Sequence, residues 1–270
     1  IVPRFYCVMY ELVQYAMVMF GPDRYKDLKR FAKVLTRLRR YIERIPVRTD
    51  AFDAMYNEWL KVCNGKTSSD EDIEFLVYLI QKYGVPREWF ENMFKAARKE
   101  LRDPHNATFD MLDGYLSDKM DGPAKVLCRI LRVHPRMYTA VCSLARGVQL
   151  CRYTLHIEDS VSRKITYFPD ADFTKCNLSN LDKRYTDTRP VQFLQFTFLQ
   201  DKRYQEYCSE LRRKMSDMPW RQRVLFTQIM WVHQYRMNRL LDRPSRVYRT
   251  SFKPSWPVHT YYFLKHILFS

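Results

Sequence analysis

Glycine is scarce in this chain, with six residues in 270. Tight turns often need backbone angles that glycine adopts most easily, and the loops that cradle phosphate groups are rich in glycine. The sequence contains no glycine-rich phosphate loop and no dinucleotide-binding fingerprint. The scarcity therefore argues against a sheet-rich fold with many tight turns and against the common nucleotide-binding enzymes.

Cysteine and histidine lack the spacing that metal sites use. None of the seven cysteines belongs to a Cys-x-x-Cys pair, and the six histidines show no metal-ligand spacing. The Gly-x-Ser-x-Gly motif of hydrolases and the His-Glu-x-x-His motif of zinc peptidases are also missing. We therefore expect free thiols in a reducing compartment, no bound metal and no cofactor.

Helical periodicity dominates the chain. Apolar residues make up 46% of the sequence, enough for one large core, and they recur at spacings of three and four residues. Between Pro169 and Pro190 the pattern lapses, which predicts a long surface loop. The rest predicts an all-α, single-domain helical bundle with periodic stretches at 31–45, 73–83, 89–101, 124–131, 138–155 and 220–241.

Helix starts are marked by capping residues. Thr49-Asp50, Ser68 to Glu71, Pro86 to Glu88 and Thr108 to Asp110 each place Ser, Thr, Pro or an acid where an apolar pattern begins. These starts break the chain into helices of ordinary length.

One run of residues between 149 and 169 has the framework of an enzyme motif. It holds Gln149 and Leu150, then Arg163, and then Tyr167 and Pro169. This run resembles the second aspartate-rich motif of the squalene/phytoene synthase family. That motif reads approximately Gln-Leu-x-Asn-x-x-Arg-Asp-x-x-x-Asp, then Arg, then Tyr-Leu-Pro. Five positions match it without a gap: Gln149, Leu150, Arg163, Tyr167 and Pro169.

The positions that carry the chemistry of that motif hold other residues here. The family's two Asp positions fall on His156 and Ser160, and its Asn position falls on Arg152. In the family, the two aspartates share one helix face and hold Mg²⁺ against a prenyl diphosphate. Imidazole is a poor Mg²⁺ ligand, and a serine hydroxyl carries no charge. The resemblance implies a synthase fold whose catalytic residues are lost, with Glu158 and Asp159 as solvated charges rather than a rescued metal site.

Other segments resemble the same family, in the same order along residues 23–179. The run from Gly84 to Glu88, followed by Phe94 and Glu100-Leu101, is similar to a Gly-Leu-Pro region of the family. Trp59 stands where a Trp-centred helix is expected. The resemblance is closest to the branch that includes a mitochondrial complex I assembly factor.

The family's first aspartate-rich motif should lie near the end of the first long helix. Residues 36–45 are cationic there, with Glu43 as their only acid. An Asp-x-x-x-Asp does occur earlier, at Asp23 and Asp27, where Pro22 begins the helix. Because acidic residues favour the positive end of a helix, we predict that Asp23 caps the helix rather than binds a metal.

A strong excess of positive charge is the remaining signal. The formal net charge is +16 and the pI is about 9.6, which suggests a polyanionic partner such as RNA. Residues 24–44 hold nine Lys or Arg against two acids, and residues 235–256 hold six against Asp242 alone. Aromatic residues alternate with the cations of the second segment, as in single-strand RNA recognition. Pro244, Pro254 and Pro257 predict that its second half is extended.

These two segments supply the candidate contacts to RNA or another partner. One alternative is a solvated helix face whose aromatic side chains pack on the protein itself, and another is contact with anionic lipid at a membrane periphery. The candidate residues are Arg37, Arg39, Arg40, Arg236, Arg239, Arg243, Arg246, Tyr248, Arg249, Phe252, Lys253 and Trp256.

The predicted organisation has three parts. Residues 1–22 form a docking or core helix, 23–241 the synthase-like domain, and 242–270 a basic arm with a terminal helix. The apolar stretch 5–20 is about 24 Å long as a helix, too short to span a bilayer. We expect a non-catalytic assembly factor of the mitochondrial matrix, with ribosomal RNA and mitochondrial ribosomal or assembly proteins as partners. The alternatives are a complex I assembly factor acting through protein contacts alone and a divergent active prenyl transferase.

Overall fold

The structure is a computed structural model that describes residues 19–43, 49–102, 106–248, 252 and 254–269. Twelve α-helices and three short 3-10 helices have their bounds there, and the same residues contain no strand. The predicted all-α fold is confirmed. By packing, the described chain divides into a first unit, residues 19–102 with 118–135, and a second unit, residues 106–117 with 136–269.

The first unit is built from four helices and the later part of a fifth. The helix starts predicted from capping residues are confirmed. For example, the Asp70 side chain accepts hydrogen bonds from the backbone N–H groups of Asp72 and Ile73. Gly84 then ends the same helix in the left-handed conformation, with φ of 60°. The helices are α1 Pro22–Glu43, α2 Thr49–Cys63, α3 Glu71–Tyr83, α4 Arg87–Arg102 and α5 Phe109–Leu131.

Aromatic side chains form the core of the first unit. Trp59 of α2 is fully buried, and its ring lies 5.6 Å from that of Phe94 and 5.7 Å from that of Phe90. Phe31 of α1 contacts Phe90 edge to face at 6.3 Å. Each such contact adds to the burial of large apolar surface. The Trp-centred helix expected from the family resemblance is therefore a packing element.

The second unit is built from the start of α5 and seven further helices. A 3-10 turn, Pro135–Met137, precedes the first of them. Two other 3-10 turns, Met215–Asp217 and Pro244–Tyr248, follow the two longest. The seven are α6 Tyr138–Leu155, α7 Ile157–Ser162, α8 Asp170–Lys175, α9 Lys183–Asp187, α10 Pro190–Lys214, α11 Trp220–Asp242 and α12 Trp256–Phe269.

Helix α6 lies at the centre of the second unit, where it packs along α10 and against α11. Its bounds agree with the predicted stretch 138–155. Gly147 lets α6 approach α10 closely, since a Cβ atom at this position would lie 2.7 Å from Cβ of Tyr207. Within the described ranges, none of the helices combines the length and apolar character that crossing a membrane requires.

Three local predictions were wrong. The stretch 169–190 is not a long loop, because it contains α8 and α9. The second half of the segment 235–256 is not extended throughout, because Pro244–Tyr248 is a 3-10 turn. Helix α12, which begins at Trp256, lies where the sequence predicts a terminal helix. Pro257 is tolerated there because the N–H groups of the first helical turn have no partner within the helix, so the missing N–H of proline breaks no hydrogen bond.

The third wrong prediction concerns the start of α1. Asp23 is not an N-cap but lies inside the first turn of α1, where its negative charge can still interact favourably with the positive end of the helix dipole. Of the apolar stretch 5–20, only Met19 and Phe20 belong to the described residues.

The two glycines of α5 provide a test of helix packing. A Cβ atom at Gly122 would lie less than 3.0 Å from the backbone oxygen of Trp89, whereas nothing lies within 4 Å of one at Gly114. We expect Gly122→Ala to lower the free energy of unfolding by about 1–3 kcal/mol, because backbone atoms must move apart. Gly114→Ala should raise it by about 0.5–1 kcal/mol through helix propensity. Urea denaturation measures both, and a Gly122→Ala protein as stable as Gly114→Ala would contradict the close approach.

Candidate functional site

The motif resembling the family's second aspartate-rich motif spans a helix break. Helix α6 ends at Leu155 and α7 begins at Ile157, with His156 between them at φ −124° and ψ 35°. The backbone N–H of His156 still donates to the carbonyls of Arg152 and Tyr153, at 3.1 and 3.3 Å. The i, i+4 spacing of residues 156 and 160 predicts that they share one uninterrupted helix face, and the break corrects this prediction.

The side chains at motif positions 149, 152, 156 and 160 include no carboxylate. Gln149 is 3% exposed, and its Oε1 accepts a hydrogen bond from the Arg152 guanidinium at 3.1 Å. Ser160 is 6% exposed, and His156 is half-buried. Mg²⁺ in proteins is held by carboxylate oxygens and waters. A guanidinium, an imidazole and a hydroxyl therefore do not fit the metal that the family's motif binds.

No alternative set of metal ligands is present in the described part of the chain. There, no group of three or more His, Cys, Asp or Glu side chains lies close enough together to hold an ion. Glu158 is half-buried, and the side chain of Asp159 lies outside the described residues. We therefore derive no metal-dependent step for this site.

The matching residues of the motif belong to a buried stack of tyrosines. Arg163 donates a hydrogen bond to the hydroxyl of Tyr167 at 2.9 Å. The ring of Tyr167 stacks on that of Tyr153, with centroids 4.0 Å apart, and the hydroxyls of Tyr153 and Tyr115 lie 3.2 Å apart. Asn106 donates to the backbone oxygen of Tyr167 at 3.0 Å. These contacts show that the retained Arg and Tyr hold the chain after α7 in place.

A buried ion pair that sequence patterns do not predict anchors the segment after the motif. Asp172 of α8 is 2% exposed and accepts hydrogen bonds from both terminal nitrogens of Arg203 on α10. Gln200 donates to the same carboxylate at 2.9 Å, and the guanidinium lies 3.9 Å from the ring centre of Phe109. Breaking such a pair leaves a charge buried without compensation. Because the two partners are 31 residues apart in sequence, only the folded structure reveals the pair.

An open cavity of about 490 Å³ lies beside α7 and α8. Ser160 and Tyr167 form part of its wall, so one of the replaced motif positions faces it. Its ionisable lining residues besides Tyr167 are Lys164, Asp170 and Asp182, and Asp182 already caps α9 by accepting from the Arg184 backbone N–H at 2.8 Å. Because both positive and negative side chains line its walls, the cavity favours neither anionic nor cationic ligands.

In the first unit, the Asp-x-x-x-Asp of α1 is occupied by internal contacts. Asp27 is 7% exposed and accepts hydrogen bonds from Lys82 at 2.7 Å, from Tyr83 at 2.6 Å and from Tyr78 at 3.3 Å. Burial and the Asp27 carboxylate raise the pKa of Tyr83 to about 12. Asp23 is exposed. Asp27 is thus a structural acceptor.

The cationic end of α1 is partly used for packing. Arg37 donates to Asp70 at 2.6 and 2.9 Å and to Asp72 at 2.8 Å, and these contacts raise its pKa. Arg39 is half-buried, and Arg40 is exposed. Because Arg37 already pairs with two carboxylates at the start of α3, the N-cap Asp70 and Asp72, we correct its place among the candidate RNA contacts. Arg40 remains a candidate.

Two C-terminal candidates belong to the protein's own core. Arg236 is 6% exposed, and Tyr248 is 6% exposed. The Tyr248 hydroxyl donates to the backbone oxygen of Leu181 at 2.8 Å, and its ring lies 6.0 Å from that of Phe193. Neither side chain can reach a nucleic acid from there, so both are corrected to packing residues. For Tyr248, the alternative that the arm's aromatics pack on the protein is the one observed.

The other C-terminal candidates differ in exposure, and some of them lie outside the described residues. Phe252 is half-buried, Arg249 and Lys253 lie outside the described residues, and so does the side chain of Trp256, whose backbone begins α12. The exposed cations in the described part of this segment are Arg239, Arg243 and Arg246.

Comparison with known proteins assigns the chain to a family. The squalene/phytoene synthase family model matches residues 27–260, which is most of the chain. The protein therefore belongs to the squalene/phytoene synthase family. No curated protein sequence matches it.

Two solved structures share its fold. The crystal structure of squalene synthase HpnC from Alicyclobacillus acidocaldarius matches with a TM-score of 0.72 at 16% identity, over 88% of this chain and 93% of that one. A crystal structure of a dehydrosqualene synthase in complex with ligand matches with a TM-score of 0.73 at 14% identity, over 97% of this chain and 89% of that one. At these identities the likeness shows the fold alone.

The Asp23–Asp27 pair tests whether α1 binds metal. Because Asp27 accepts three hydrogen bonds and Asp23 is exposed, Asp27→Asn should lower the free energy of unfolding by about 1–3 kcal/mol. Asp23→Asn should change it by no more than about 0.5 kcal/mol. Thermal unfolding with Mg²⁺, against an NaCl control of equal ionic strength, should give the same midpoint for the wild type. Stabilisation by Mg²⁺ that disappears in Asp27→Asn would show that Asp27 is a ligand instead.

Proposed function

We propose that this protein is a non-catalytic, squalene/phytoene synthase-like scaffold or assembly factor. The observation that carries the proposal is the identity of residues 156 and 160. His156 and Ser160 stand where the resemblance places two Mg²⁺-binding aspartates, and a helix break separates them. Diphosphate departure in such enzymes depends on metal ions that neutralise its charge. Without a carboxylate pair, this side of the site lacks the ligands for those ions.

The first unit supports the same conclusion independently. Residues 36–45, where the first aspartate-rich motif is expected, contain Glu43 as their only acid. The nearest Asp-x-x-x-Asp uses Asp27 to accept hydrogen bonds from Lys82 and Tyr83. An ammonium group already neutralises this carboxylate, so it offers little to a second cation.

We further propose that the scaffold works in the mitochondrial matrix within an RNA-containing particle, such as an assembly intermediate of the large mitochondrial ribosomal subunit. The net charge of +16 supports a polyanionic partner. The resemblance to a branch with a mitochondrial assembly factor supports the compartment. The exposed cations Arg40, Arg239, Arg243 and Arg246 are the proposed contacts from the described residues.

A second candidate function is a complex I assembly factor that acts through protein contacts alone. An exposed apolar stripe on α10 favours this alternative. Val191, Leu194 and Phe198 are 62, 41 and 61% exposed and share one helix face. Purification of the tagged protein distinguishes the two, since ribosomal RNA and ribosomal proteins would accompany it in the first case and respiratory-chain subunits in the second. A divergent active prenyl transferase would co-purify with neither ribosomal components nor respiratory-chain subunits.

The pseudoenzyme proposal predicts no prenyl transfer. The purified protein should not condense farnesyl or geranylgeranyl diphosphate in the presence of Mg²⁺. The double variant His156→Asp/Ser160→Asp should also be inactive, because residues 36–45 would still contain no carboxylate pair. Product analysis with radiolabelled diphosphates measures both. Mg²⁺-dependent product from the wild type would overturn the pseudoenzyme proposal, and product from the double variant alone would reveal another acidic cluster.

The RNA proposal predicts a change in salt dependence. Arg239→Gln/Arg243→Gln should weaken binding to single-stranded ribosomal RNA segments. It should also lower the log–log slope of affinity against salt by roughly 0.7 for each lost phosphate contact. The control, Tyr248→Phe, removes a buried hydroxyl that donates to Leu181, so it should lower the melting temperature and leave the slope unchanged. Filter binding across a salt series measures the slope. A folded double variant that binds with the wild-type slope would remove these arginines from the RNA contact.

A further inference from the structure

The outer face of the C-terminal helix α12 is apolar and exposed. Tyr261, Leu264 and Leu268 are 63, 51 and 75% exposed. Their spacing of three and four residues places them on one side of the helix. Solvated helices normally present charged or polar residues on such a face. This stripe therefore indicates a surface that binds something apolar.

The opposite face of α12 holds the helix firmly against α11. Trp231 of α11 stacks on Tyr262 with ring centroids 4.2 Å apart. The Nδ1 atom of His266 lies 2.9 Å from the side-chain oxygen of Gln228, within hydrogen-bonding distance. Because these contacts fix the rotation of α12 about its own axis, the apolar stripe points away from α11.

The charge around the stripe identifies the kind of surface it fits. Residues 243–269 contain five Lys or Arg and no Asp or Glu. Lys265 lies exposed on α12 itself, and Arg243 and Arg246 lie exposed just before it. A helix of 14 residues is about 21 Å long, shorter than a bilayer core of about 30 Å. Such a helix can lie in a membrane interface but not cross it.

We propose that α12 docks on an anionic lipid membrane, with Tyr261, Leu264 and Leu268 inserted among the headgroups and upper acyl chains. Lys265, which lies exposed on the same helix, then contacts a lipid phosphate. A second copy of the chain is a poorer occupant, because it brings the same charge of +16 to the interface. RNA satisfies the cations but leaves two leucine side chains exposed to water. The membrane site is additional to the proposed scaffold function and does not depend on it.

Vesicle binding of the full chain tests this site. The protein should sediment with vesicles of equimolar phosphatidylcholine and phosphatidylglycerol and much less with pure phosphatidylcholine. Leu264→Ser/Leu268→Ser should lower the partition coefficient by about tenfold or more, because two inserted apolar side chains are lost. The matched control is Val191→Ser/Leu194→Ser, which removes two exposed apolar side chains from α10 and should bind as the wild type does. Circular dichroism and thermal unfolding establish that both variants are folded.

Several outcomes would overturn the proposal. In the first, the folded α12 variant binds vesicles as well as the wild type does. In the second, the α10 control loses as much vesicle binding as the α12 variant. In the third, the wild type binds neutral vesicles as well as anionic ones. Sedimentation velocity without lipid would assign the face to a second copy if a dimer dissociates on Leu264→Ser/Leu268→Ser. Loss of RNA binding by that variant with vesicle binding retained would assign it to nucleic acid.

Discussion

The second unit depends on the close packing of α6 along α10. Gly147 makes it possible, because a Cβ atom at this position would lie too close to the Cβ atom of Tyr207. The same Tyr207 donates its hydroxyl to Asp113 at 2.6 Å, and burial together with this carboxylate raises its pKa. With α6 and α10 fixed, Arg203 reaches Asp172, and the end of α6 presents the motif residues beside α7. This helix pair therefore positions the motif residues of α6 and the Arg203 side of the buried ion pair.

The candidate site separates two kinds of motif residue. Arg163 and Tyr167, which match the family pattern, hold the chain together by a hydrogen bond and a tyrosine stack. His156 and Ser160, which replace its aspartates, lie at and after a break between helices. Packing residues can persist after catalysis is lost, because the fold still needs their contacts. This pattern supports the proposed scaffold function.

The surface of the protein offers two further kinds of contact close together in sequence. Exposed arginines at 239, 243 and 246 carry positive charge, and α12 follows them with an apolar outer stripe. Charge attracts a polyanion from a distance, whereas an apolar stripe gains free energy only when it leaves water. An RNA-containing particle near a membrane would satisfy both surfaces.

The sequence alone predicted the helical class, the bounds of α6 and the capped helix starts, because periodicity and capping are local properties. The ungapped resemblance also places the family's two aspartate positions on His156 and Ser160, and the loss of catalysis that this implies stays a prediction. Burial of Arg236 and Tyr248, the Asp172–Arg203 pair and the break at His156 emerged only in the tertiary structure. Helical spacing shows which residues share a face. Which other helix covers that face is decided by packing between segments far apart in sequence, so a basic segment that reads as solvated can lie partly in the core.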